Sequence, residues 1–153
     1  MTLNQKLLAA LTLSIALNCS AGSDYGAQVV GPWHCQSTYG SIYGDYQVLG
    51  DIDLQANNRF SAAGDLLITS PSFNTTLALL FKAQGNWQFS NNQIKAEQIT
   101  GSISSVYPLL TGFAQNLQKQ LTQEPSFQVR LSRIGRKTMT LVASDDTEIN
   151  CHR

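Results

Sequence analysis

Charge is scarce in this chain. Only 13% of its 153 residues are Asp, Glu, Lys or Arg, and ten bases balance ten acids. A nucleic-acid surface needs a basic excess, and there is none. Histidine is scarcer still: His34 and His152 are the only two, and cysteine stops at three. Two imidazoles fall short of the three or four ligands of a stable zinc site, and no Asp or Glu lies at a helpful spacing. Neither a metal nor a cofactor is expected. Beyond the first 21 residues, no run is long and apolar enough to cross a bilayer as a helix. The nucleophile-elbow pattern Gly-x-Ser-x-Gly is also missing, since Gly40-Ser41-Ile42-Tyr43-Gly44 has its glycines at the wrong spacing. The acids Asp51 and Asp53 read as the solvated face of a strand. No catalytic residues are expected, and the chain reads as non-enzymatic.

What is present begins with an address. Lys6 supplies a positive charge, Leu7 to Leu17 form an apolar run broken by Thr12 and Ser14, and Asn18-Cys19-Ser20-Ala21 is a short, mostly small-residue end. That order is a secretory leader over residues 1–21, followed by a flexible segment over 22–30 and one domain over 31–153. A lipid anchor on Cys19 is the rival reading, disfavoured because Asn18 rather than a small residue precedes it. Export to the periplasm or the medium follows. Loss of the leader leaves Cys35 and Cys151, an even pair in an oxidising compartment, and a disulfide between them is expected. Closing so long a loop stabilises by about 3–5 kcal/mol in the chain-entropy model.

Alternation and turn residues divide the domain. Trp33 to Ser37 is a strand, and Thr38 to Asp45 reads as a long loop. Gln47 to Ala56 alternates, Asn57-Asn58 turns, and Phe60, Ala62, Gly64, Leu66 and Ile68 carry the apolar face back. Ser70-Pro71-Ser72 breaks the pattern, Leu77 to Phe89 resumes it, and Ser90-Asn91-Asn92 turns into Ile94 and Ala96. Leu109, Phe113, Leu117 and Leu121 then recur every four residues, with Leu110 and Ala114 beside them. This is the buried stripe of one inserted helix over about 106–123, with Pro108 in its first turn and Glu124-Pro125 at its end. Phe127–Leu131, Met139–Leu141 and Ile149–Cys151 restore strand spacing.

The fold class is therefore mostly β: an eight-stranded antiparallel up-and-down barrel with one inserted helix. Closure removes the sheet edges. It also sets the first strand against the last. With Cys35 opposite Cys151, His34 faces His152 on the outside and Trp33 faces Arg153 on the inside, where an Arg over an indole adds a cation–π contact. Gly31-Pro32-Trp33, Arg59-Phe60-Ser61-Ala62-Ala63-Gly64 and Gly85-Asn86-Trp87-Gln88-Phe89-Ser90-Asn91-Asn92-Gln93-Ile94, with the Trp33–Arg153 pairing, resemble the lipocalin-like (calycin-like) small barrels of bacterial exported proteins. The chain lacks the middle lipocalin motif, and its helix lies between the fifth and sixth strands instead of after the last. The resemblance implies a binding protein for a small apolar ligand in or at the mouth of the barrel.

The candidate ligand-binding residues are Tyr39, Tyr43 and Tyr46, interleaved with Gly40 and Gly44, and Phe113 on the helix stripe. Phe60, Leu66, Ile68, Trp87, Phe89, Val129, Leu131, Met139 and Leu141 could instead fill the interior. The alternative is a protein-interaction module, such as an inhibitor of a cell-wall or host enzyme. Its contact would be the tyrosine stretch or the basic hairpin tip of Arg130, Arg133, Arg136 and Lys137. Asn74-Thr75-Thr76 is a glycosylation sequon that stays bare in a bacterial protein.

Overall fold

A computed structural model describes residues 24–41, 44–70, 75–123 and 126–153. The expected leader, Cys19, Tyr43, Asn74 and Glu124-Pro125 fall outside these segments. Eight strands form one closed antiparallel ring in chain order: β1 (Gly31–Ser41), β2 (Gly44–Leu54), β3 (Arg59–Ser70), β4 (Thr75–Ser90), β5 (Gln93–Ser105), β6 (Phe127–Ile134), β7 (Thr138–Val142) and β8 (Glu148–His152). Among the described residues two helices accompany them, α1 (Tyr25–Val29) and α2 (Thr111–Gln123), the latter entered through a 3-10 turn at Pro108–Leu110. Among the described residues, no helix is long and apolar enough to cross a membrane.

The seam has the expected register. His34 lies opposite His152 and Cys35 opposite Cys151, and a disulfide joins the cysteines across 116 positions of sequence. The Arg153 guanidinium sits 4.1 Å from the centre of the Trp33 ring. It also donates to the carbonyls of Val30 (2.9 Å), Gln28 (3.2 Å) and Arg136 (3.1 Å). One side chain thus holds three carbonyls on two backbone segments over the lower end of the barrel, the end that holds the β2–β3, β4–β5 and β6–β7 turns.

Three expectations are corrected. The segment taken as loose contains α1: the Asp24 carboxylate caps it by accepting from the Ala27 amide, and Val29 is fully buried. The Trp33 indole N–H donates to the Val29 carbonyl at 2.8 Å, so burying this turn costs no unpaired polar group. The stretch Thr38 to Asp45 is not a long loop. Thr38, Tyr39, Gly40 and Ser41 extend β1, and Gly44 and Asp45 open β2, with Tyr39 opposite Tyr46. Thr and Tyr suit a pleated surface, and pairing with β2 overrides the glycines. Lastly, the helix is turned from its expected facing. Ala114 is buried and Leu110, Leu117 and Gln118 are half-buried, whereas Leu109 is 97% exposed and Phe113 is 37% exposed.

The core fills the lower half. Val29, Trp33, Leu54, Trp87, Ile94, Val129, Leu131, Met139 and Leu141 pack there with the disulfide, and no polar or charged residue is buried among the described residues. Trp87 satisfies its indole N–H on the Gln55 carbonyl at 2.9 Å. We predict that Arg153→Met lowers unfolding free energy by about 2–4 kcal/mol, from the lost cation–π contact and charged hydrogen bonds. Urea denaturation checks the loss, and amide exchange should speed up selectively in α1.

Candidate functional site

Strand lengths create the site. β1 to β5 run 11 to 16 residues, while β6, β7 and β8 run only 8, 5 and 5. β8 pairs with β1 from His34 to Ser37, and β6 pairs with β5 from Gln93 to Ala96. Above those levels β1 to β5 continue as a curved sheet without a strand to close it. The left-handed backbone of Gln98 (φ 53°) and a register shift opposite Gly85 mark where β5 departs from β6.

From there α2 covers the free edge of β5. The Gln118 side chain acts in place of a missing strand: its amide oxygen accepts from the Ile103 N–H at 2.6 Å, and its amide nitrogen donates to the Gly101 carbonyl at 2.8 Å. This explains why the helix turns Gln118, not Phe113, toward the sheet. Backbone groups at an open edge require partners, and a side-chain amide can supply both donor and acceptor.

The unbroken pairing of β1 with β2, β2 with β3, and β3 with β4 carries the inward face upward from the core. It places Tyr39, Tyr46, Val48, Leu66, Ile68, Leu77, Leu79 and Phe81 on one concave surface, with Ile103 opposite Phe81 on β5. Leu79 is buried, but Val48, Leu66, Ile68, Leu77, Phe81 and Ile103 are only half-buried. The floor is a glycine crease. A Cβ on Gly50 would lie 2.9 Å from the Phe81 ring, and one on Gly64 would lie 2.0 Å from the Leu49 carbonyl oxygen. Without side chains at these two positions, neighbouring strands approach closely and the Phe81 ring reaches over Gly64 to Gly50. Phe127, whose neighbours Val129 and Leu131 point into the core, is 50% exposed at the rim.

Tyr39 and Tyr46 stand on the opposite rim as a stacked pair, with ring centroids 5.1 Å apart and planes 6° from parallel. Burial pushes the Tyr39 phenol above its ordinary ionisation range, and the nearby Tyr46 and Asp145 add to the rise. Asp145 belongs to the β7–β8 turn, so this turn borders the mouth. Its carboxylate accepts from the Thr147 amide at 3.1 Å, which holds it below the usual carboxylate range.

The expected tyrosine cluster is thus present as two strand residues, with Tyr43 outside the described segments. Among the described residues, no ring contact joins Phe113 to Tyr39 or Tyr46. Leu66, Phe81 and Phe127 were missed as mouth residues, although Leu77, Leu79 and Phe81 share a period of two that marks them as one face. Two grooves lie on the outside. A groove of about 690 Å³ runs between Gln93, Lys95, Gln128, Arg130 and the β7–β8 turn, and one of about 360 Å³ between Asp51, Asp53, Ser61 and Lys82. Both are shallow. Among the described residues, no three His, Cys, Asp or Glu side chains are arranged to hold a metal.

Comparison with protein-family models finds no match, and comparison with curated proteins finds none either. Geometry alone therefore carries the functional reading.

The Tyr39 shift predicts an alkaline signature. Its proton is held more tightly in the folded chain than in the unfolded one. The resulting stabilisation is complete below about pH 10 and is lost as pH climbs through the raised folded value. In ultraviolet titration of tyrosinate absorbance, Tyr39→Phe should remove a late-ionising phenol and leave the earlier steps in place.

Proposed function

We propose that this chain is an exported, non-enzymatic binding protein of lipocalin-like type that takes a small apolar ligand in the open upper half of its barrel. The observation that carries the reading is the half-buried apolar face of Val48, Leu66, Ile68, Leu77, Phe81 and Ile103 above the glycine crease. Side chains packed to capacity would be buried there, as Trp33, Leu54, Trp87, Val129 and Met139 are below. Apolar surface left partly wet on a concave wall gains free energy from an apolar guest, at about 25 cal/mol per Å² covered. The Tyr39–Tyr46 stack supplies a flat wall with two hydroxyls, suited to a guest with one polar end. The cross-seam disulfide fits an oxidising compartment, which supports export.

A second reading, a protein-interaction module, draws support from a different feature. Val106, Tyr107, Leu109, Phe113 and Leu80 are exposed at the β4–β5–α2 corner, a concentration that isolated surface residues seldom reach. This contact would lie at the corner rather than on the tyrosine rim or at the basic tip.

Titration with an environment-sensitive apolar fluorophore separates the two. Leu66→Asp places a charge on the concave wall and should weaken fluorophore binding at least tenfold, because a carboxylate beside a bound apolar guest loses hydration. Leu80→Asp, on the outer face, should leave that affinity unchanged. Equal affinity in the parent chain and in Leu66→Asp would overturn the ligand reading. Native mass spectrometry of protein recovered from its exporting host should reveal a bound small molecule.

A further inference from the structure

The outer side of the seam carries a row of side chains that the mouth does not use. Asp51 on β2, His34 on β1 and His152 on β8 lie directly beside one another through the β1–β2 and β1–β8 registers. The His34 Nδ1 and an Asp51 carboxylate oxygen are 2.8 Å apart. The His34 and His152 ring centroids are 5.0 Å apart with an interplanar angle of 66°. The ring nitrogens of His152 carry no hydrogen bond among the described residues. Sequence spacing gave no hint that an acid stood beside the histidines, because the β1–β2 register was hidden in the stretch read as a loop.

Three features of this row belong to a metal-binding pair. First, the carboxylate fixes a tautomer. Asp51 accepts from Nδ1–H and leaves Nε2 of His34 for a ligand, the arrangement that orients ligating histidines in metal sites. Second, the spacing fits. Two imidazoles bound to one ion at about 2.0–2.1 Å, with a ligand–metal–ligand angle of 90–110°, have ring centroids about 4.5–5.2 Å apart. The observed 5.0 Å lies inside that range. Third, the backbone is rigid: both histidines flank the Cys35–Cys151 disulfide, so neither strand must move to bring them together. The nearest cation by sequence, Arg153, has its guanidinium on the inner face over Trp33.

We propose that His34 and His152 form a surface site for a borderline divalent transition ion, with Asp51 as the positioning residue. Two nitrogen ligands and exchangeable waters suit Cu(II) best, since it heads the affinity order for imidazole donors and accepts a tetragonal set completed by water. Ni(II) and Zn(II) should follow with weaker binding. The ion would clamp β1 to β8 on the outside as the disulfide does on the inside.

Titration of the disulfide-intact full chain with CuCl2, read by electron paramagnetic resonance and by quenching of tryptophan fluorescence, tests the site. The expected result is one high-affinity equivalent with hyperfine structure from two nitrogens. His34→Gln and His152→Gln should each weaken it tenfold or more and reduce the signal to one nitrogen. Asp51→Asn should weaken binding by about tenfold while the two-nitrogen signature persists, because Asp51 positions His34 and does not itself ligate. Circular dichroism should show all three exposed-site variants folded as the parent. Copper affinity unchanged by either histidine substitution would overturn the site, and affinity unchanged in Asp51→Asn would overturn the positioning role. A chain with an intact disulfide that takes up no copper at micromolar concentration would overturn the proposal outright.

Discussion

Four residue pairs, from His34–His152 to Ser37–Ile149, join the two ends of the chain into a ring. Everything else depends on that short seam. Without it the sheet would expose the N–H and C=O rows of β1 and β8, which invites pairing with other chains. With it, the disulfide becomes a bond between adjacent strands, Trp33 meets Arg153, and Arg153 reaches the carbonyls that end α1. The lower end is sealed from the two termini of the domain inward. Loop-closure entropy opposes such a non-local contact, and the disulfide removes much of that cost from the unfolded side.

The same seam explains the mouth. Because β6, β7 and β8 are short, the ring is complete only at the level of the core. The taller strands β2 to β4 keep their apolar inward face above it, beyond the reach of the side chains that fill the lower half. Gly50 and Gly64 separate the two zones, since the space left by their missing side chains lets Phe81 form a floor. On the open side, α2 holds the edge of β5 through the two Gln118 side-chain hydrogen bonds and no strand pairing. An apolar concavity, a stacked tyrosine rim and a helix-guarded edge therefore come from one asymmetry in strand length.

Much of this was legible in the residues. The period of two in β2, β3, β6 and β7 and the even pair of cysteines were enough to set the ring, the register of its seam and the Trp33–Arg153 contact. What remained hidden had physical causes. Glycines at positions 40 and 44 look like loop residues, yet cross-strand pairing of Tyr39 with Tyr46 holds them in strands. The four-residue stripe of Leu109, Phe113 and Leu117 looked like the buried side of α2. The need of β5 for hydrogen-bond partners turned Gln118 inward instead, and a polar residue carries no signal in an apolar pattern. Asp51 beside His34 depends on the β1–β2 register, which becomes readable only when positions 38–45 are recognised as the two arms of one hairpin.

An open apolar receptacle in the upper half of the barrel must hold a bound apolar probe against its wall. The most direct measurement is methyl-detected nuclear magnetic resonance on the protein with a bound apolar probe, recording magnetisation transfer from probe to protein. Transfer to the methyl groups of Val48, Leu66, Ile68 and Leu77, with none to Leu80 or Leu109, is expected. Transfer confined to Leu80 and Leu109, or to no methyl at all, would contradict it.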